Sequence, residues 1–455
     1  MKQREITSKF FLCCLVAVVV LLGGGCAHSD PFGEPGDVPS DPGQRYMGEN
    51  PQRPSVGPRV VPDPEEGPLS LAECLHIALL NSPQARASWH TARAAAARAG
   101  QGKSGLLPQL TFNANAQRQK YQVLTEVVAK YQRTTYDASF GLRQLLFDAG
   151  RTASQASAAE AALQSADFQH NSTLQDVALR TESSYYELLA ARAMLDVARN
   201  ALNQRERHLE LATRQLEAGR ARQVEVLQAR ERKAEASLGV VETRSQVRNA
   251  RGRLASVMGL RPNTDLRIRE IPEEIHSQEM EDVQKLLDEA AEERPRLKAA
   301  ATEVSRWQDL LKAQQARYYP TVQGSATYGW NDKHMLPEDR KEWSLGMSLE
   351  WPLFTGFQRS YSIREARAQR QKAIQSYQKL LRDVELDVWT AYSDVIRARE
   401  SLRAAQAYVE SARKTTQAAE RGYQQGRATI VELIDAQTEL TRAQARKVRS
   451  RMQWY

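Results

Sequence analysis

Four cysteines and seven histidines are the residues of this 455-residue chain that could support nucleophilic or metal chemistry. Downstream of the N-terminal region the only cysteine is Cys74, and no histidine falls in a recognisable nucleophile motif. The sequence also has no phosphate-binding loop, no His/Cys spacing for zinc and no nucleophile elbow. We therefore predict a protein that is not an enzyme, with no catalytic residue, no metal site and no cofactor, and we interpret Cys74 as a small buried packing residue.

The N-terminal cysteines lie in or next to an apolar segment. This run, residues 10–25, follows three basic residues and ends in three glycines directly before Cys26. Such a pattern is typical of an export signal, so we predict that residues 1–25 form a signal peptide. The stretch Leu22-Gly-Gly-Gly-Cys26 is similar to the lipobox of bacterial lipoproteins, which predicts a covalent lipid on Cys26. The alternative is a nearby cut by ordinary signal peptidase, without lipid.

Prolines divide the chain into segments of different character. Ten of the 18 prolines fall between residues 31 and 68, and none occurs from 109 to 261 or from 353 to 455. We predict an extended, lipid-anchored tether over 26–68 and long helices downstream. With 26% charged residues the chain is too polar for a polytopic helical membrane protein.

The net charge of +8 does not indicate a nucleic-acid partner. Basic and acidic residues alternate along the chain, as in Arg205-Glu206-Arg207, which is typical of a solvated helical face. No basic patch with interleaved aromatic residues stands out, so we predict no binding of nucleic acid.

An internal duplication organises the sequence. Residues 71–83 align with 283–295 at an offset of 212, and 215–229 align with 422–436 at an offset of 207. We predict two structural repeats, 69–282 and 283–455. Ser70 and Asp282 are the helix caps expected near the two starts.

Each repeat contains a segment that alternates apolar and polar residues. In the clearest case, residues 343–351, the odd positions are Trp, Leu, Met, Leu and Trp, and the even positions are mostly small or polar. We predict β-hairpins at about 109–147 and 320–353, with strands of about nine to eleven residues, the length that crosses a bilayer at a tilt. Four strands cannot close a barrel, and an open edge cannot sit in lipid, so the barrel must be shared between chains.

A very long helix follows each hairpin, at about 151–218 and 358–425. Apolar residues recur there every seven positions, as at Leu188, Leu195 and Leu202, which predicts helices that supercoil against neighbours. Gly219 and Gly426 are candidate helix ends, after which the chain turns into a returning helix. The predicted helical hairpins cover about 151–259 and 358–455.

These features together resemble the TolC-like outer-membrane efflux protein family. The most specific match is the duplicated turn Leu216-x-x-Gly-Arg-Ala-x-x-Val-Glu-Val-Leu227 and Tyr423-x-x-Gly-Arg-Ala-x-x-Val-Glu-Leu-Ile434. The strand-to-helix joins at 146–151 and 352–357 also match. The resemblance implies a mixed α/β membrane protein in which three chains share a 12-stranded outer-membrane β-barrel and form an α-barrel of coiled-coil hairpins in the periplasm.

The resemblance also implies a function and partners. Family members are the exit ducts of tripartite export systems, working with a periplasmic adaptor and an inner-membrane pump of the RND or ABC type. It places adaptor contacts at the helix tips, and a possible constriction at Glu420 and Arg421. The tip residues are Gly219, Arg220, Ala221, Gly426, Arg427 and Ala428. A different reading of the tip arginines is that each caps the carbonyl end of its own helix.

Two points depart from or compete with this interpretation. The chain stops at Tyr455 inside the returning helix, whereas the first copy continues to Gly259, so we expect either a shortened chain or the absence of the family's C-terminal part. The alternative function is a trimeric exported structural or adhesin-like coiled coil without transport.

Overall fold

The computed structural model describes residues 67–124, 128–219, 221–270, 282–332 and 341–454. Cys26, the export segment and nearly all of the predicted tether lie outside these ranges. In the described residues the chain is mostly helical with one four-stranded sheet, as predicted. The sheet and the helices belong to two compact units.

Eight helices and four strands follow one another in the described residues, and the order helix, helix, strand, strand, helix, helix occurs twice. The first set is α1 Leu71–Asn81, α2 Pro83–Ser104, β1 Gln109–Leu124, β2 Val128–Phe147, α3 Arg151–Glu217 and α4 Gln223–Val257. The second set is α5 Val283–Glu293, α6 Pro295–Ala316, β3 Thr321–Asp332, β4 Lys341–Glu350, α7 Gln358–Gln424 and α8 Ile430–Trp454.

The sheet has the strand order β1-β2-β3-β4, so β1 and β4 are its edges. Strands β1 and β2 pair antiparallel from Gln109 opposite Arg143 to Leu124 opposite Val128. These strands have 16 and 20 residues, so the expected length of nine to eleven is wrong for both, whereas β4 has 10. The physical reason is that β1 continues to pair with β2 beyond its apolar residues. The polar stretch Gln117–Lys120 is exposed, and exposed polar side chains are compatible with strand pairing.

Helices α3 and α7 have 67 residues each, and the predicted long helices are confirmed. At 1.5 Å per residue each is about 100 Å long. Two consecutive residues with positive φ precede each of them, Ala149 (54°) and Gly150 (79°) before α3, Gly356 (59°) and Phe357 (64°) before α7. This left-handed pair turns the chain from strand to helix, and it is strained at the two residues that are not glycine.

Side chains hold both strand-to-helix turns in place. Before α3, the carboxylate of Asp148 accepts a hydrogen bond from the backbone N–H of Thr152 at 2.8 Å. Before α7, the buried guanidinium of Arg359 donates to the carbonyls of Arg317 (3.3 Å) and Leu353 (2.8 Å). These charge-assisted bonds compensate part of the cost of the left-handed backbone.

The main hydrophobic core lies around the middle of α3, where α1 and α4 pack against it. Leu188 of α3 and Leu254 of α4 are fully buried there. Cys74 of α1 is also fully buried, and burial raises the pKa of its thiol to about 12. The thiol is therefore neutral at physiological pH, and the predicted packing role of Cys74 is confirmed.

The predicted caps are also confirmed. Ser70 and Glu73 form a reciprocal capping box at the start of α1, and the carboxylate of Asp282 accepts from the N–H of Gln284 at α5. None of the helices in the described ranges is both long enough and apolar enough to cross a membrane.

Gly259, just after α4, has φ +71° and faces the carbonyl oxygen of Asn81, which would lie 2.8 Å from an added Cβ. We expect Gly259→Ala to lower the free energy of unfolding by about 1–3 kcal/mol, because backbone strain and a steric clash combine. The measurement is the midpoint of thermal unfolding followed by circular dichroism. The control is Gly239→Ala inside α4, where a Cβ meets nothing within 4 Å. The control should be neutral or raise stability by up to about 1 kcal/mol; equal midpoints for both variants would contradict this account.

Candidate functional site

The two helix tips have the same backbone construction. Gly219 and Gly426 have φ of 68° and 69°, and the N–H of each bonds back to the carbonyl three residues earlier, Leu216 or Tyr423, at 2.9 and 3.1 Å. These are glycine helix ends in the left-handed conformation, as the sequence predicts. Arg220 lies outside the described residues.

The second tip is the better defined of the two. The N–H groups of Arg427 and Ala428 both bond to the carbonyl of Gly422, at 2.7 and 3.1 Å. A Cβ on Gly422 would lie 3.0 Å from that of Ala428, so this position favours glycine. Sequence reasoning missed Gly422; its only signal was a second glycine four residues before Gly426.

The side chain of Arg427 is exposed, and no described residue accepts a hydrogen bond from it or pairs with it. Among the described residues no side-chain hydrogen bond supports the alternative that Arg427 caps its own helix, and backbone N–H groups bond to the carbonyl of Gly422 there. Glu420 is half-buried and Arg421 is exposed, and within the described residues neither forms an ion pair. A link between these two side chains is not present in one chain.

Behind the tips, buried and half-buried polar side chains connect the two helical hairpins. We call this group the hairpin junction and define it as Arg205 and His208 of α3, Tyr423 of α7, and Gln437 and Thr438 of α8. Arg205 is only 9% exposed, and its two terminal nitrogens donate to the side-chain oxygens of Gln437 and Thr438, both at 2.9 Å.

The environment of Arg205 is unusual for a buried cation. No carboxylate of the described residues lies within ion-pair distance of it, and both hydrogen-bond acceptors are neutral. Burial lowers the pKa of Arg205, the positive charge of Arg232 lowers it further, and the more distant carboxylate of Glu235 offsets only part of these effects. The junction thus fixes α3 to α8 by geometry rather than by charge neutralisation, at a cost in desolvation.

Sequence reasoning did not find this junction. Arg205 and His208 are three residues apart beside the apolar repeat that includes Leu202 and Leu209, and that spacing is common on solvated helices. Gln437, the partner of Arg205, follows more than 200 positions later in the chain. No local pattern connects residues so far apart.

The sheet presents a continuous apolar surface. The odd-numbered residues of β4 are strongly exposed, with Trp343, Leu345 and Met347 each at 75% or more. Phe112 of β1 and Phe140 of β2 add a ring pair with centroids 5.0 Å apart. A shallow apolar depression crosses the strands, lined by Leu110, Phe140, Leu142, Tyr328, Trp343 and Leu345. Such a large exposed apolar face is a binding surface for lipid or protein.

The described residues offer no group of histidine, cysteine and carboxylate side chains that could hold a metal ion. What they provide instead is an apolar sheet face, two long helical hairpins, and exposed tips with a polar junction behind them. This arrangement suits a passage or a docking surface rather than bond-making chemistry.

Comparisons with known proteins agree with this geometry. A model of the outer membrane efflux protein family matches residues 74–260 and 286–455. The chain is 27% identical to protein CyaE of Bordetella pertussis, over 84% of this chain and 80% of that protein. It is 26% identical to the outer membrane protein TolC of Vibrio cholerae, over 82% and 84%. Among solved structures, the outer-membrane channel OprN superposes with a TM-score of 0.77 at 23% identity, covering 85% of this chain and 87% of that chain.

The hairpin junction leads to a prediction about stability. We expect Arg205→Ala to lower the free energy of unfolding by about 1–3 kcal/mol, because the buried amide of Gln437 loses its donor and a packed side chain is removed. The measurement is again thermal unfolding by circular dichroism. Arg207→Ala is the matched control, since Arg207 is exposed on the same helix. If both variants have the same midpoint of thermal unfolding, the junction does not stabilise the protein.

Proposed function

The chain belongs to the outer membrane efflux protein family and is an outer-membrane export channel, and we propose that three copies of it form one duct. Proteins of this family are channels, so the chain is not an enzyme. In the proposed trimer each copy contributes its four strands to a 12-stranded barrel, and the helical hairpins form a tunnel on the periplasmic side. The two sets of elements in each chain are then a two-fold structural repeat.

The observation that carries this proposal is the sheet. Among the described residues it has four strands, with β1 and β4 as its edges, and one face of it is apolar and exposed. In a bilayer every backbone donor and acceptor must be paired, so these edges need strands from other copies. The opposite face of β4 carries Ser344, Gly346, Ser348 and Glu350, which suits the lining of a water-filled pore.

The helices give independent support for sharing between copies. Helix α3 packs against α1, α2, α4, α6 and α8, whereas α7 packs mainly against α6 and α8 with a smaller contact to α5. Apolar side chains of α7 stay exposed in the single chain, among them Leu386 (63%), Trp389 (54%) and Val395 (42%). Val395 belongs to the predicted seven-residue repeat, so a neighbouring helix from a second copy would bury the part of this repeat that one chain leaves open.

Passage through the duct is passive in this proposal. Selection by a pump would precede entry, and the channel would conduct whatever its polar lining and its width admit. Opening would be a movement of the hairpins at their tips, because helices that pack through small and polar residues can rearrange without losing a large core.

The partners we propose are a periplasmic adaptor and an inner-membrane pump of the RND or ABC type. The proposed adaptor contacts are Gly219, Arg220, Ala221, Gly426, Arg427 and Ala428. The exposed guanidinium of Arg427 has no partner among the described residues, which supports this, because it can bond to carbonyl or acidic groups of an adaptor without breaking a contact to any of them. Glu420 and Arg421 are a proposed constriction, which would need side chains from several copies.

The proposed membrane attachment also includes a lipid on Cys26, outside the described residues. After removal of residues 1–25, the proline-rich segment 26–68 would connect the lipid to the first helix. One acyl-modified cysteine adds hydrophobic attachment to that of the barrel.

We expect the full-length protein, extracted in detergent from an outer-membrane fraction, to have the native mass of three acylated copies. The same preparation should conduct ions across a planar bilayer, because a shared barrel encloses water. A trimer that does not conduct would favour the structural coiled-coil alternative. A monomer in the soluble fraction would contradict the barrel, because four strands cannot close alone.

A second prediction tests which face of the sheet meets lipid. We expect Leu345→Lys to reduce the amount of assembled trimer in the outer membrane, because a lysine facing lipid near the midplane costs about 2–4 kcal/mol. The control is Ser348→Lys on the opposite face of the same strand, which should assemble normally and alter only conductance. Trimer yield is measured on unheated gels of outer-membrane fractions; equal loss for both variants would contradict the assigned faces.

A further inference from the structure

His208 of the hairpin junction has a polar atom that nothing in the structure satisfies. Its side chain is 4% exposed, and no described residue offers its buried Nε2 a hydrogen bond. The imidazole ring packs on the phenol of Tyr423, with centroids 5.9 Å apart, and the buried hydroxyl of Tyr423 is likewise without a partner in the described residues. Two adjacent buried polar groups are therefore removed from water, and no hydrogen bond within the described residues offsets the free-energy cost.

The charges around His208 would not stabilise a positive ring. On its own helix, Arg205 lies one turn away, and its charge lowers the pKa of His208 in addition to the effect of burial. From α7 the contact is the neutral phenol of Tyr423, and from α8 the junction supplies only the neutral side chains of Gln437 and Thr438.

The carboxylates of the region are engaged elsewhere or lie at the surface. Glu206 pairs with Lys233 of α4, and Glu210 pairs with Arg214. Glu235 of α4 pairs with Arg232. Glu225 of α4 pairs with Arg222, and Glu432 of α8 accepts a hydrogen bond from the N–H of Thr429. The other acidic groups near the tips are Glu217 of α3 and Asp435 of α8, both exposed, and Glu420 of α7, which is half-buried. Among the described groups only Arg205 contributes an identified electrostatic effect on His208, and that effect is repulsive toward a proton.

The packing next to His208 is also what joins the hairpins. One turn further toward the tip, Leu211 of α3 contacts the apolar cluster of Tyr423, Ile430, Leu433 and Ile434. A change at His208 therefore acts on the contact between the first hairpin and both helices of the second. His208 is nine residues from the end of α3, or about 14 Å along the helix.

We propose that His208 makes the tip end of the channel acid-sensitive: uptake of a proton by its buried ring weakens the packing of α3 against α7 and α8 and favours separation of the two hairpins. The proposed channel function is needed only for the functional effect of this step, which is that acidification would favour opening of the channel. The structural step itself, separation of the hairpins, can be measured without conduction.

The direction of the pH effect on the packing of the hairpins follows from proton linkage. In the packed state burial lowers the pKa of His208 below its ordinary value of 6.5, whereas a hydrated ring in a separated state has the ordinary value. The contribution of neutral His208 to packing is therefore fully present above pH of about 6.5 and is lost as the pH falls below it. Each pH unit below that value can shift the equilibrium toward separation by up to about tenfold.

The test places spin labels at Gln223→Cys and Gln425→Cys, two exposed, uncharged positions, one at the tip of each hairpin. Distances between the labels are measured by pulsed electron resonance on the full-length detergent-extracted protein, at about pH 7.5 and about pH 5.5. We expect the fraction of long distances to rise several-fold at the lower pH, by up to the tenfold per unit given above.

Two variants separate His208 from other titrating groups. His208→Phe keeps an aromatic ring and cannot be protonated, so its distances should not change with pH. His90→Phe is the same substitution at an exposed histidine of α2, and it should keep the full response. His208→Gln, which is also neutral at both pH values, replaces His208→Phe if that variant does not assemble.

The proposal is overturned by any of three results: no change of distances in the unsubstituted channel, an unchanged response in the neutral variants, or a response whose midpoint lies above the ordinary histidine pKa. Conductance of the same samples tells the two proposals apart. If the trimer conducts but the distances between its tips do not change with pH, only the proposed role of His208 is contradicted. If the distances change with pH but the trimer never conducts, the proposed channel function is contradicted.

Discussion

The packing of other helices along α3 is the interaction on which the rest of the structure depends. The helix propensity of its residues would not by itself keep a helix of 67 residues folded in one conformation in water. Helices α1, α2, α4, α6 and α8 all contact it. The central part of α3 buries leucines in the main core, and its first part packs through small residues such as Ala156 and Ala158, so that neighbouring backbones can approach closely.

Toward the tips the character of this packing changes. The core near Leu188 is apolar and fully buried, whereas the hairpin junction buries a guanidinium, an imidazole and a phenol with neutral partners or with none in the described residues. Apolar packing is stable over a wide range of conditions, and polar burial of this kind is only marginally favourable. Nearer the tips, the apolar cluster of Tyr423, Ile430, Leu433 and Ile434 adjoins this polar junction, so both kinds of contact join the hairpins there.

The sheet and α7 have in common that one chain does not complete them. In the described residues β1 and β4 are the edges of the sheet, and α7 keeps large apolar side chains at its surface. In the proposed trimer both features have one physical resolution, which is association of identical copies around a closed ring.

The sequence by itself determined the elements, because their signals are local. Period two predicted the strands, a seven-residue repeat and the absence of proline predicted α3 and α7, and Ser70, Gly219 and Gly426 marked helix ends, since capping and φ are decided within a few residues. It did not determine the length of β1, because pairing with β2 extends a strand beyond its apolar face. Nor did it reveal that Arg205 meets Gln437, or that His208 meets Tyr423. Those features exist only when segments far apart in the chain pack together, because burial and the choice of hydrogen-bond partner are properties of the assembled helices and not of any stretch of sequence.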